Sequence, residues 1–228
     1  MMANWRHVFK LDPDRRVSED SLDALCTSGT DGIIVGGTTG VTYENTIDLL
    51  SRLRRYPIST ILEISNAESV VPGFDGYLIP IVLNAQNPDW IFTPHLDALN
   101  QYGAIINWDQ VMVEGYVVLN EKSTVAQLTH AKTNLSMEEC IAFARLSDQL
   151  LRLPIFYIEY SGTYGDVGLV KNLREKLIHS KLMYGGGIRT VNQAKEMAQY
   201  ADTIVVGNVI YDDIESAIHT VSASKEVI

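Results

Sequence analysis

Cysteine is scarce. The 228 residues contain two, Cys26 and Cys140, more than a hundred positions apart in stretches whose periodicity reads as helical. That excludes a disulfide framework or a cysteine-built zinc site and points to reduced core thiols. Positive charge is short as well: 18 Lys and Arg face 28 Asp and Glu, a net charge of −10. A nucleic-acid binder needs a basic face interleaved with aromatics, and docking on anionic lipid by charge needs a basic cluster; neither is present. No run approaches the roughly 18 apolar residues that span a bilayer. The first residues, MMANWRHVFKLD, lack the apolar h-region of a signal peptide, so a cytoplasmic, soluble protein is expected. There is no GxSxG elbow, Walker A loop or dinucleotide fingerprint. The five histidines form no metal or triad spacing, and His95 reads as a surface or loop residue. No linker, low-complexity tract or internal repeat divides the chain, which reads as one domain over 1–228.

What is present is alternation. Short β-branched runs begin at His7, Asp31, Ser59, Gly76, Gly115, Pro154, Lys181 and Asp202, most of them followed by an amphipathic stretch. Eight strands alternating with helices predict an α/β fold, a single-domain (β/α)8 (TIM) barrel. In YENTIDLLSRLRR the spacing puts Ile47, Leu50 and Leu53 on one face; in MEECIAFARLSDQLLR it does so for Met137, Ile141, Ala144 and Leu151. Ser18 before Asp20 reads as a helix cap, and Ser136 with Glu138 and Glu139 as a capping box. The third unit departs from the pattern. NAESVVPGFD, between STILEIS and GYLIPIVLN, is too short and aperiodic for a barrel helix, so the third helix is expected to be a loop near the site.

Barrel chemistry sits at the C-terminal strand ends. In the first run Lys10 and Asp12 share a face and point into the mouth, where a ligand, a metal or mutual pairing must offset their desolvation. Thr38, in GGTTG after the second run, adds a hydroxyl beside Asp12, a plausible hard-cation pair. In the sixth run Tyr157, Glu159 and Ser161 share a face, and a carboxylate inside an apolar strand is a candidate general base; the alternative is a Glu satisfied by backbone or by Lys10. GGGIR at 185–189 and VGN at 206–208 follow the seventh and eighth runs, where barrels commonly bind a phosphate monoester. The amides of Asn84, Gln86 and Asn87 either orient substrate or form Asx turns.

Taken together, KLDPD at 10–14, GGTTGVT at 36–42, LNAQNPDWI at 83–91, EGYVVLN at 114–120, YIEYSG at 157–162, YGGGIRT at 184–190 and VVGN at 205–208 resemble the geranylgeranylglyceryl phosphate synthase family, in its bacterial heptaprenylglyceryl phosphate synthase branch. The resemblance spans nearly the whole chain. It implies a barrel without a regular third helix and transfer of a long prenyl group, heptaprenyl before geranylgeranyl, from a polyprenyl diphosphate to the C3 hydroxyl of sn-glycerol 1-phosphate with Mg²⁺. Carried over by position, Lys10 would contact glycerol phosphate and Asp12 and Thr38 would hold Mg²⁺. Tyr157, Ile158, Glu159, Tyr160, Ser161 and Gly162 would line the glycerol phosphate site, with Gly187, Gly207 and Asn208 cradling the phosphate. It also implies a homodimer. No DDxxD motif is present, in keeping with a single metal site on a barrel.

An apolar groove must hold the tail, with its floor expected around Ala98, Leu99 and Tyr102. The acidic balance favours apolar over electrostatic approach to lipid, with transient contact at a membrane surface. Two other readings remain: another phosphate-binding barrel enzyme, and a non-catalytic barrel that senses a phosphometabolite. The first does not call for Asp12 with Thr38, and the second does not call for a buried base.

Overall fold

A strand buried on both faces reads as a nearly continuous apolar run, and parallel neighbours need a crossover between them. The computed structural model, which describes residue 2 and residues 4–226, has that organisation. The strands β1 (His7–Leu11), β2 (Gly32–Val35), β3 (Thr60–Glu63), β4 (Gly76–Val82), β5 (Val111–Val118), β6 (Ile155–Glu159), β7 (Lys181–Gly185) and β8 (Thr203–Val206) form a closed parallel barrel, and β1 pairs back with β8. Outside it run α1 (Glu19–Thr27), α2 (Tyr43–Leu53), α3 (Thr93–Tyr102), α4 (Thr124–Thr129), α5 (Met137–Arg145), α6 (Val167–Lys176), α7 (Val191–Ala198), α8 (Val209–Asp212) and α9 (Ile214–Lys225). The expected barrel is therefore observed.

The period of two divides the core. Phe9, Ile33, Leu62, Phe156, Ile158 and Tyr184 point outward under the helices. Val8, Ile34, Ile61, Leu78, Tyr116, Tyr157, Met183 and Val205 fill the interior. At the bottom His7 is fully buried, its ring nitrogens each 2.9 Å from the hydroxyls of Thr30 and Thr220.

Local signals act as expected at several ends. The Ser18 side chain accepts from the Ser21 N–H, and Ser136 with Glu139 makes the capping box of α5. Between β3 and β4 there is only a 3₁₀ turn, Ala67–Ser69, capped by Asn66.

Three expectations are corrected. The buried stripe of α2 is Thr46, Leu49, Leu50 and Leu53; Ile47, about 100° round from Thr46, is 41% exposed. Leu151 is exposed because a π-helical turn, Leu146–Leu150, follows α5 and rotates the chain before that residue. β5 begins at Val111, four residues before Gly115, since β4 is long and pairs from Tyr77↔Val111 to Val82↔Tyr116.

Candidate active site

Period-two alternation brings Lys10 of β1, Glu63 of β3, Glu114 and Tyr116 of β5, and Tyr157 and Glu159 of β6 to the barrel interior. The Lys10 ammonium does not pair with Asp12 or Glu159. It donates to both Glu63 oxygens, at 2.6 and 2.7 Å, and lies 5.8 Å from the centre of the Tyr157 ring. Burial would lower its pKa, but Glu63, Glu159 and Glu114 outweigh that and hold it above the ordinary lysine value. Glu159 accepts from the Tyr157 hydroxyl at 2.8 Å and from the Ser161 N–H. The latter bond goes with a left-handed Ser161, φ 41°, followed by Gly162 at φ 84°.

Glu114 stands apart. It is fully buried, neither oxygen has a hydrogen-bond partner, and burial followed by the like charge of Glu63 pushes its carboxyl well above its usual range. Three carboxyl groups therefore share the interior with one ammonium, and Glu114 is the one left without a hydrogen-bond partner.

Above this layer the mouth is a polar cavity of about 370 Å³. It brings together Lys10, Asp12, Thr38, Glu159, Ser161, Gly162, Gly187, Gly207 and Asn208, and adds Arg15, Lys122, Arg189 and Tyr211. Gly187, in the cavity lining, has φ 57°, and a Cβ there would strike the Tyr164 backbone, so the close approach of the two turns requires glycine. The other predicted site residues are placed differently. Tyr157 is fully buried below the cavity as the support of Glu159. Ile158 faces the helix layer, and Tyr160 packs there beside Tyr184, their ring centres 6.1 Å apart. The period of two that aims Glu159 inward turns both neighbours out.

Asp12 and Thr38 are tested as a metal pair by their surroundings. A Cβ at Gly37 would collide with the Asp12 carboxylate, so the glycine lets the Thr38 turn close on it. Burial raises the Asp12 carboxyl above its ordinary value against the Asp14 N–H that lowers it. Among the described residues no three His, Cys, Asp or Glu gather into a metal cluster. One carboxylate and one hydroxyl fit Mg²⁺ completed by substrate phosphates and water, and do not fit a closed protein cage.

A second, mainly apolar cavity of about 200 Å³ adjoins the first, sharing Lys10, Gly37, Thr38, Tyr116 and Val125. Asn66, Ala67 and Val70 wall it where a third helix would stand; Pro94, His95, Ala98 and Tyr102 of α3 form the opposite side. Ala98 and Tyr102 are thus where the floor was expected, whereas Leu99 points away and is 42% exposed. His95 belongs to helix α3, not a loop, and its Nδ1 is buried without a partner. Asn84 is structural: its Nδ2 donates to the carbonyls of Val118 and Lys132. Asn87 caps a 3₁₀ turn.

Sequence reasoning passed over Glu63, Glu114, Arg15 and Tyr211. The signal for the first two was the one used for Glu159, a carboxylate within an apolar strand. The latter two carry no local signal.

A barrel with a glycine cradle on its last two strands, a carboxylate and hydroxyl on its first two, and an apolar annex at the missing third helix is a phosphate-handling (β/α)8 barrel. A sequence profile of the PcrB family matches residues 1–225, and the chain belongs to that family. It is 55% identical over 224 residues to the heptaprenylglyceryl phosphate synthase of Bacillus cereus strain B4264, covering 98% of each chain. Identity to the protein of that name from Bacillus mycoides strain KBAB4 is 54%, again over 98% of both. The fold matches the (S)-3-O-geranylgeranylglyceryl phosphate synthase of Thermoplasma acidophilum, solved in complex with its substrate sn-glycerol-1-phosphate. There the TM-score is 0.87 at 22% identity, over 97% of this chain and 93% of that one. No helix among the described residues is long and apolar enough to cross a membrane.

Proposed function

We propose that this protein transfers a heptaprenyl group from its diphosphate to the C3 hydroxyl of sn-glycerol 1-phosphate. The observation that carries this reading is the continuity of the two cavities, a polar one with an anion cradle and an apolar one, joined at Lys10, Thr38 and Tyr116. A phosphometabolite sensor has no use for the apolar half.

In this reading the glycerol phosphate lies with its phosphate against Gly187, Gly207 and Asn208 and its C3 end toward Glu159. Bound Mg²⁺ would neutralise the departing diphosphate. Asp12 and Thr38 supply oxygen donors on that side. The bond from prenyl C1 to the diphosphate oxygen breaks with its electron pair on the oxygen, and the C3 oxygen forms the new bond to C1. Its proton passes to Glu159, whose carboxylate the Tyr157 hydroxyl and Ser161 N–H hold in place. Lys10, already paired with Glu63, acts as a fixed hydrogen-bond donor at the floor of the glycerol phosphate site.

The 200 Å³ annex is below the roughly 300–1,000 Å³ of pockets that enclose drug-sized ligands, so a 35-carbon tail continues beyond it over apolar surface. The homodimer is supported by the exposed apolar side chains of Ile105 and Trp108, and sedimentation at micromolar concentration tests it.

The deciding experiment incubates the protein with Mg²⁺, radiolabelled sn-glycerol 1-phosphate and a ladder of prenyl diphosphates. Label entering the organic phase, most with the heptaprenyl donor and none with EDTA, is the expected result. Binding of glycerol phosphate without transfer from any donor would overturn the reading in favour of a sensor. Glu159→Gln should lower kcat by roughly 10²–10⁴-fold with little change in glycerol phosphate affinity; a near-wild-type rate removes Glu159 from the role of base.

A further inference from the structure

Two phosphate-bearing substrates in one cavity need cationic side chains that are still available. Four line the polar cavity: Lys10, Arg15, Lys122 and Arg189. Two are already neutralised, Lys10 by Glu63 and Arg189 by Asp212, each at 2.6 Å. Arg15 and Lys122 form no ion pair with a carboxylate among the described residues, and of these only Arg15 is held in a fixed direction.

Its guanidinium lies 3.6 Å from the centre of the Tyr211 ring, a stacked geometry that fixes the plane of the fork. One nitrogen donates to Asn208 Oδ1 at 3.2 Å, and the fork lines the polar cavity with no carboxylate partner among the described residues. The Tyr211 ring has a second duty: its hydroxyl accepts from the Asp12 N–H at 2.9 Å. A single side chain on α8 thus holds the turn after β1 at both points, the carboxylate residue and the arginine three positions later.

We propose that Arg15 is a substrate-binding residue that closes the open side of the phosphate cradle and contacts the phosphate of sn-glycerol 1-phosphate, with Tyr211 as the residue that positions it. The assignment rests on the reaction proposed above, since the cradle is taken to hold that phosphate. The contact with Asn208, rather than with Thr38 or Gly37, places the fork on the glycerol phosphate side instead of the diphosphate side.

The test measures binding of sn-glycerol 1-phosphate, and of inorganic phosphate as a second probe, by calorimetry without prenyl donor, together with both KM values. Arg15→Gln should weaken glycerol phosphate binding roughly 10- to 100-fold, the scale of a lost charge-assisted hydrogen bond. KM for the prenyl diphosphate should stay within about twofold. Tyr211→Leu, which removes the platform, should reproduce the loss of affinity. Arg16→Gln deletes the same charge from an exposed neighbour outside the cavity lining and should leave both KM values unchanged. Arg15→Gln binding glycerol phosphate as wild type does, or a penalty confined to the prenyl diphosphate, overturns the proposal while leaving the prenyltransferase reading intact. Wild-type protein that binds no glycerol phosphate overturns both.

Discussion

Lys10 shows what a charge inside a barrel requires. Removing one member of a buried ion pair ordinarily costs about 3–5 kcal/mol because the survivor stays buried and uncompensated. Here a spare is present, since Glu114 sits in the same interior with no partner, its carboxyl pushed well above its usual range by burial and by Glu63. Glu63→Gln should therefore cost at most about 2 kcal/mol, with Glu114 ionising in its place, and Glu114→Gln alone should be close to neutral. The double variant, left with Glu159 alone near Lys10, should lose more than the sum of the two single losses. Denaturant melts of the four proteins decide it, and strictly additive losses would sink the idea. His7 offers a pH test. Burial is the largest cause of its depressed pKa, outweighing Asp31, which raises it, with Lys225 lowering it further, and the value falls from 6.5 to about 3. Between those values the unfolded chain binds a proton that the folded one refuses, so stability rises with pH across that window. His7's contribution is intact above about pH 6.5 and is lost as pH falls toward 3, at up to about 1.4 kcal/mol per pH unit. In His7→Gln the acid limb of a Tm-versus-pH curve should flatten relative to wild type; an unchanged slope would assign that limb to the carboxylates instead.

At the scale of elements, α3 supplies one wall of the apolar annex that the proposed reaction assigns to the tail. Ala98 lines the annex opposite the Ala67 turn, so Ala98→Phe should fill its end and shift the preferred donor from heptaprenyl toward shorter diphosphates, with KM for glycerol phosphate unchanged. A product ladder resolved by mass reads this directly. On the barrel's other side, Ser136→Ala should cost α5 about 1 kcal/mol, seen as a lower unfolding midpoint with activity kept. Elements of this kind were legible in the sequence: all eight strands, the caps at Ser18 and Ser136, and the absent third helix. The polar interior was only half legible. Alternation shows that Ile61 and Glu63 share a face, but β3 is buried on both sides, so no polar stripe tells inward from outward. Glu159 stood out because Ser161 and the glycine motifs surround it in the sequence; Glu63 and Glu114 have no such company. Arg15 and Tyr211 meet from opposite ends of the chain, and no periodicity carries that information.

For the whole molecule, the charge of −10 argues against electrostatic docking on anionic lipid. If the substrate is reached by apolar contact, raising the anionic fraction of vesicles should leave sedimentable protein unchanged or lower, and added salt should not release what is bound. A rise in binding with anionic lipid would contradict this. The closure of β1 on β8 also has a consequence for synthesis. His7, Val8 and Phe9 find their partners in Ile204, Val205 and Val206. At the usual pace of translation of about 5–20 residues per second, the first strand waits roughly 10–40 s for the last to emerge from the ribosome, with one edge open throughout. Lys10 lies on that edge, and an inward-pointing charge is among the devices that keep an unpaired strand from joining a foreign one. On the reading proposed above, the side chain that would contact glycerol phosphate in the finished barrel is also placed to keep the nascent edge from foreign pairing until the ring can shut.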